Sequence, residues 1–434
     1  MPAGNARTLD AQVAVVGAGP IGLTLAGRLA QRGVRTLLVE QNPALGGEGS
    51  KAICMQRETL EIWARLGIGE SVARRGVQWR IGRTYFRDRE LFSVELPTSR
   101  ADHFPPFVNI NQCEVEAMLV DRLEQLPDLE IRWAHRLTGV VQDPDRVTLR
   151  CDTPDGEREL NVAYLVGADG AHSSVRHLLG MGFPGHSHDD LFLICDIRAD
   201  LPFPNERRLF FDPPWNPGRQ VLVHPQPDGV WRIDWQVPPG TDAEAERANG
   251  GLDRRIRAVV GNGTPYELVW CTGYRFHQRL AEHWRAGRAF LAGDAAHLMS
   301  PFGARGLNSG AADAENLAWK LALVLRGEAP ASLLDSYGEE RRAAAAENLD
   351  VTDRTMRFMV PHGRLGRLAR NAVLRGSLRV AAARRWVNSG RLAQPFVYAR
   401  SSIVAPDDAP AAGMARHGDV APDFAAERVG ASRE

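Results

Sequence analysis

Near its start the chain changes hydrophobic period twice. Val13 to Val16 is a short β-branched run, Ile21 to Gln31 carries its apolar residues at helical spacing, and Val34 to Val39 is a second apolar run. The pattern predicts a β-α-β unit with a glycine-rich first turn. Thr59 to Leu66 and Glu114 to Leu126 read as amphipathic helices, the second entered through Asn111-Gln112, with a mixed, strand-like stretch from Trp79 to Leu96 between them. Val162 to Val166 is another buried strand, ending at Gly167-Ala168-Asp169-Gly170. From Leu191 to Val237 strands alternate with turn residues, and Pro227-Asp228-Gly229 forms the tip of a hairpin. Ala289 to Ala292 returns to the buried-strand pattern, followed by a glycine-rich loop and a long helix from about Ser309 to Leu325.

This order of elements predicts an α/β fold with an α+β second domain. A Rossmann-like nucleotide-binding domain is expected over residues 1–80, 100–185 and 275–350, with a β-rich substrate domain over 81–99 and 186–274 inserted in it. After Pro330 the chain reads as helical and rich in Ala and Arg to about Asn388, giving C-terminal helices over 351–400. Residues 401–434, which turn to Pro, Ala, Gly and Asp from Ala405, fit a loosely ordered tail.

Composition narrows the classes. With 434 residues and 44% hydrophobic content the chain can fill the core of two packed domains. Lys and Arg total 53 against 53 Asp and Glu, so no basic field is available for a phosphate backbone and nucleic acid is not an expected partner. The five cysteines are scattered and never two residues apart, which argues against a disulfide framework or a zinc site. Met1 to Gln12 lacks a secretory pattern, and the apolar stretch Val13 to Ala30 is broken by four glycines, so neither export nor a membrane span is expected. A cytoplasmic location is the default.

Gly17-Ala18-Gly19-Pro20-Ile21-Gly22 follows a strand and opens a helix, and Glu40 ends the next strand. Each residue type has a reason: Gly17 permits the tight turn, Gly19 lets the backbone approach a pyrophosphate, Gly22 allows close helix and strand packing, and Glu40 accepts from ribose hydroxyls. This fingerprint does not separate FAD from NAD. A second motif runs from Gly167 through Asp169 to Arg176. A third comprises Gly293-Asp294-Ala295-Ala296-His297 and Pro301-Phe302-Gly303-Ala304-Arg305-Gly306-Leu307-Asn308, before a helix with Asp313, Asn316 and Lys320.

Three such motifs in this order make the sequence, from about Val13 to Asp335, resemble the class A flavoprotein aromatic hydroxylases, the family of para-hydroxybenzoate hydroxylase and the phenol and hydroxyphenylpropionate hydroxylases. The resemblance implies FAD as cofactor and NADPH or NADH as reductant. It makes Asp169 and Arg176 polar members of a segment that closes over the pyrophosphate, and Asp294 a partner of the ribityl chain. Gly303 and Gly306 keep the loop thin, and the amides of Leu307 and Asn308 face the flavin edge that becomes negative on reduction. Gln112 matches a cofactor-contacting glutamine, and Lys51 stands where many members have an arginine near the pyrophosphate.

Val221-Leu222-Val223-His224 and Val230 to Val237 form the arms of the predicted hairpin, with Trp231, Ile233 and Trp235 on one face and Arg232, Asp234 and Gln236 on the other. The apolar face is expected to pack on its domain, and the simplest reading of the polar face is exposure to solvent. On the family pattern, His224 and Gln226 fall where a substrate carboxylate is bound, Arg232 on an arginine linked to flavin movement, and Asp234 on a substrate-contacting tyrosine. Gln226 replaces the carboxylate-binding arginine, so a neutral phenol or quinol-like ring is preferred. His224, Asp234 and Arg232 are thus the catalytic candidates, and Gln226 and Gln236 the substrate contacts.

The implied reaction is hydroxylation: NAD(P)H reduces FAD, dioxygen adds at C4a, and the terminal hydroxyl of the C4a-hydroperoxyflavin passes to the carbon beside a phenolate. The partners implied are a small aromatic substrate and O2, with no metal and no membrane; a homodimer and a monomer both stay open. Two alternatives remain. One is another FAD enzyme on the same fold, such as a polyketide-tailoring or Baeyer-Villiger oxygenase. The other is a non-catalytic nucleotide-binding scaffold. Gly418 to Glu434 resembles the linker that in the phenol hydroxylase branch leads into a thioredoxin-like domain, and the expectation is either a member without that domain or a shortened chain.

Overall fold

The computed structural model describes residues 9–47, 49–50, 52–98, 102–300, 303–361, 363–377, 396–398 and 401–404. The expectations for Lys51, for Pro301-Phe302, for the helical stretch beyond residue 377 and for the tail from Ala405 fall outside the described residues.

Strand Ala11–Val16 is buried at every position but Gln12, as a strand covered on both faces must be. It pairs in parallel with Gly156–Gly167 on one side and Thr36–Val39 on the other. Parallel neighbours need a crossover, and helix Pro20–Ala30, fully buried, supplies it. The first sheet runs in the order Arg285–Ala286, Ala289–Leu291, Gly156–Gly167, Ala11–Val16, Thr36–Val39, Leu129–Arg132, and Val147–Thr153 and Arg136–Gln142 extend it as an antiparallel flap. Helix Gly306–Leu325 lies against helix Pro20–Ala30, with Gly310 so close to Ile21 that a Cβ there would sit 2.7 Å from its side chain.

The second sheet is built from His297–Leu298, Glu267–Leu280, Gly185–Arg198, Val230–Val237, Gln220–Pro225, Arg207–Phe211, Ile81–Phe86 and Arg89–Glu95, in that order. Its outer face carries Trp231, Ile233 and Trp235, which pack with Leu252 and Ile256 of helix Gly251–Val260. The opposite face, which the alternation alone would leave wet, is covered. Phe192, Ile194 and Leu222 form a second apolar cluster with Met356 and Met359 at the end of helix Asp335–Met359, and beside them the face closes a cavity. Arg232 is 1% exposed and Gln236 4% exposed, which corrects the expectation of a solvated polar face: the sheet is covered on both sides. A small third sheet, Cys54–Gln56, Phe107–Asn109 and Val77–Trp79, adds a further wall to that cavity.

Candidate active site

One cavity of about 920 Å³ runs from the turn after strand Ala11–Val16 to the second sheet. At its first end Gly17 has φ +107°, and a Cβ there would lie 2.6 Å from the Ala168 carbonyl oxygen. A Cβ on Gly22 would lie 1.9 Å from the Gly17 carbonyl oxygen, so this glycine packs the helix on its own turn and does not face the cavity. Gly19 lines the cavity with no protein atom within 4 Å of a Cβ position. It is the N-cap of helix Pro20–Ala30, without a side-chain cap and with no acidic residue in the first turn, so the amides at that helix end are available to a phosphate. Glu40 accepts from the Ala18 amide at 2.8 Å and from Asn42, which fixes its carboxylate at the cavity rim.

Asp169 and Gln112 border the same space. Asp169 accepts from the Ser173 hydroxyl and the Val175 amide, and Gln112 donates to Glu116. Arg176 is buried and donates to the Ala295 and Ala171 carbonyls, tying the second motif to the third. In the third motif Asp294, Gly303, Gly306, Leu307 and Asn308 all line the cavity. Gly303 at φ +94° and Ala304 at φ +53° turn the loop into helix Gly306–Leu325. The Asn308 side chain then locks it, accepting from the Gln56 amide at 2.8 Å and the Thr59 hydroxyl at 2.7 Å and donating to the carbonyls of Cys54 and Ala304. Two uncapped helix ends, a glycine space open toward the cavity and a fixed carboxylate near the first of them are a shape and donor set that fit FAD.

The far end is lined by Trp79, Phe107, Phe192, Trp270, Tyr274 and Phe276. Trp79 and Phe107 stack at 4.7 Å, and the Trp79 indole is held by Asn109, which in turn donates to the Pro225 carbonyl. Into this aromatic chamber the second sheet presents His224, Arg232, Asp234 and Arg207. Burial holds the His224 imidazole well below its usual range, and the nearby Arg207 and Arg232 push the same way, so the ring is neutral. Burial raises the Asp234 carboxyl to about 7 against the opposing pull of Arg232, and its Oδ1 is shielded from solvent with no hydrogen-bond partner. The Cys54 thiol beside His224 is pushed up to about 12 by burial and stays protonated.

Two predicted substrate contacts are placed elsewhere. Gln226 donates to Asp196 Oδ1 at 2.8 Å, and Gln236 accepts from the Gln220 amide where Met359 covers the sheet; neither lines the cavity. Arg232 borders the cavity but is clamped to Asp196 by two hydrogen bonds of 2.8 Å. The sequence reading missed Asp196, Arg207 and the aromatic lining. A signal existed for Asp196: an acid between Cys195 and Ile197 in an apolar strand must find a buried cation.

Comparison with known proteins agrees with this geometry. Residues 10–352 match the family model described as FAD binding domain. The 3-(3-hydroxy-phenyl)propionate/3-hydroxycinnamic acid hydroxylase of Mycolicibacterium smegmatis is 33% identical over 377 residues, covering 86% of this chain and 66% of that protein. The protein of the same name from Comamonas testosteroni is 31% identical, covering 84% of this chain and 61% of its own length. The chain thus spans about two thirds of the length of these curated relatives, 66% and 61%. Among solved structures, p-nitrophenol 4-monooxygenase from Pseudomonas putida superposes with a TM-score of 0.77 at 27% identity, covering 88% of this chain and 98% of that one. A ternary complex of aklavinone-11 hydroxylase with FAD and aklavinone gives 0.72 at 30% identity, covering 82% of this chain and 70% of that one.

Proposed function

The chain belongs to the class A FAD-dependent aromatic hydroxylase family, and on that premise we propose that it is an FAD-dependent monooxygenase that uses NADPH or NADH and dioxygen to hydroxylate an aromatic, phenol-like substrate. The observation that carries the reading is the continuity of the cavity: the nucleotide turn, the glycine-rich loop and the aromatic chamber open into one another. When bound, FAD would supply the hydride acceptor and the activation of dioxygen.

The chain's own residues do the rest. With FAD bound, the helix end at Gly19 would hold the pyrophosphate, Glu40 the ribose and Asp294 the ribityl chain, and the amides of Leu307 and Asn308 would favour a polar, electron-rich ring edge. The aromatic walls select a flat ring and exclude water. Asp234, which exchanges a proton near neutrality, is the group able to take the phenol proton, while His224, held neutral, can accept a hydrogen bond from the hydroxyl. Likeness to aklavinone-11 hydroxylase supports a second reading, in which the ring belongs to a polycyclic natural product. Product analysis separates the two.

The test is anaerobic bleaching of the flavin absorbance of the purified protein by NADH and NADPH, alone and with a panel of phenols. Acceleration by a phenol, with an oxygenated product on admitting air, supports the proposal. A colourless protein that cannot be reconstituted with FAD overturns it.

A further inference from the structure

The register of the second sheet sets four polar side chains in one row. Asp196 pairs with Arg232, and Arg232 with His224. Arg208 pairs with Val223, so the preceding residue, Arg207, falls beside His224. Three members of the row are accounted for. Arg232 and Asp196 neutralise each other through a two-pronged contact, and His224 is uncharged.

Arg207 is different. It lines the cavity, yet its side chain has no hydrogen bond or ion pair among the described residues. The neighbouring arginines are treated otherwise: Arg83 and Arg208 both bind Glu206, at 2.6 and 2.9 Å. The groups that act on the Arg207 charge are Cys54, whose thiol stays protonated, and Asp234, whose carboxyl keeps its proton up to about neutrality. The fold therefore places a five-donor cation in an aromatic chamber and supplies it with no committed anion. A guanidinium that faces this chamber without a counter-charge is open to a ligand carboxylate, which it can bind through two parallel hydrogen bonds.

We propose that Arg207 anchors a carboxylate on the aromatic substrate, so that the preferred substrates are phenolic acids. This rests on the monooxygenase reading and sharpens it. It also replaces the argument for a neutral ring: that argument used Gln226, which lies off the cavity and is committed to Asp196.

Two phenolic acids, 3-hydroxybenzoate and 3-(3-hydroxyphenyl)propionate, and their primary amides would be titrated into the FAD-loaded protein and into Arg207→Gln and Arg207→Lys, with binding followed by equilibrium dialysis. Each variant's melting curve and flavin content would be checked first. The native protein is expected to bind at least one acid about thirty-fold or more tightly than its amide. Arg207→Gln should lose that preference, and Arg207→Lys should keep part of it, because a point charge remains but the fork is gone. If Arg207→Gln weakens acid and amide alike, or the native protein does not prefer either acid to its amide, the inference is overturned. That outcome leaves the monooxygenase reading standing if neutral phenols still accelerate bleaching and are hydroxylated. Should Arg207→Gln fail to fold, a native protein without acid preference, or an Arg207→Lys variant that keeps the preference in full, overturns the inference, and a reduced preference in Arg207→Lys supports it.

Discussion

A carboxyl whose burial outweighs the pull of its neighbouring arginines makes stability depend on pH. Asp234 is raised from 3.8 to about 7 by burial. The folded chain thus keeps a proton that the unfolded chain releases, and between those two values each step up in pH lowers stability. Asp234→Asn, which cannot ionise, should gain on the native protein as pH rises, by roughly 1–3 kcal/mol at about pH 8. Thermal melts at about pH 5 and about pH 8 check this, and a difference that does not grow with pH would mean the carboxyl ionises freely. A larger effect is expected at the clamped pair. Asp196→Ala leaves Arg232, 1% exposed, without its counter-charge and should cost about 3–5 kcal/mol in denaturant unfolding. Replacing both by Leu should recover much of that loss. Single residues were unevenly legible in the sequence. Asp234 and His224 were singled out by laying the hairpin on the family pattern, whereas Arg207 sits in an Arg-Arg pair that looks like ordinary surface charge until the sheet is assembled.

At the scale of elements, two glycines of one motif do different work and can be separated. Gly22→Ala would set a Cβ 1.9 Å from the Gly17 carbonyl oxygen, so the helix must move off its turn. Loss of both apo-protein stability, by about 2 kcal/mol or more, and FAD binding is expected. Gly19→Ala meets no protein atom within 4 Å, and the new methyl would stand in the cavity. It should leave the apo-protein melting temperature unchanged while weakening FAD binding at least about tenfold. Melting curves and FAD titrations of the two variants check the contrast. The β-α-β unit was readable because strand, glycine turn, helix and acid are all local, and period and turn chemistry are local signals. The polar face of the hairpin was not. Whether Arg232 and Gln236 are wet depends on helix Asp335–Met359 and on a cavity wall contributed from distant sequence, and alternation within one strand carries neither.

For the molecule as a whole, the decisive fact is that one cavity is shared by three sheets. Strand His297–Leu298 joins the second sheet directly after Asp294, so the chain that borders the nucleotide site also edges the substrate sheet. Arg341 binds Asp313 and Tyr398, and Ser401 binds Glu340, so residues near the end of the described chain brace the long helix Gly306–Leu325 from behind. A cofactor seated across such a cavity touches elements that the unfolded chain cannot bring together, and by mass action it must stabilise the fold. At a free FAD concentration about a hundred times the dissociation constant the gain is about 2.7 kcal/mol, read as a rise in melting temperature that grows with added FAD. The size of this shift across variants locates each residue's role. Arg207→Gln should show the full shift, because its work is reserved for the substrate. Gly19→Ala should start from the native apo value and show a reduced shift at the same FAD concentration. Gly22→Ala should start low and shift little. If Arg207→Gln lost the FAD-dependent shift, Arg207 would belong to the cofactor's surroundings and the division of the cavity into a nucleotide end and an aromatic end would have to be redrawn.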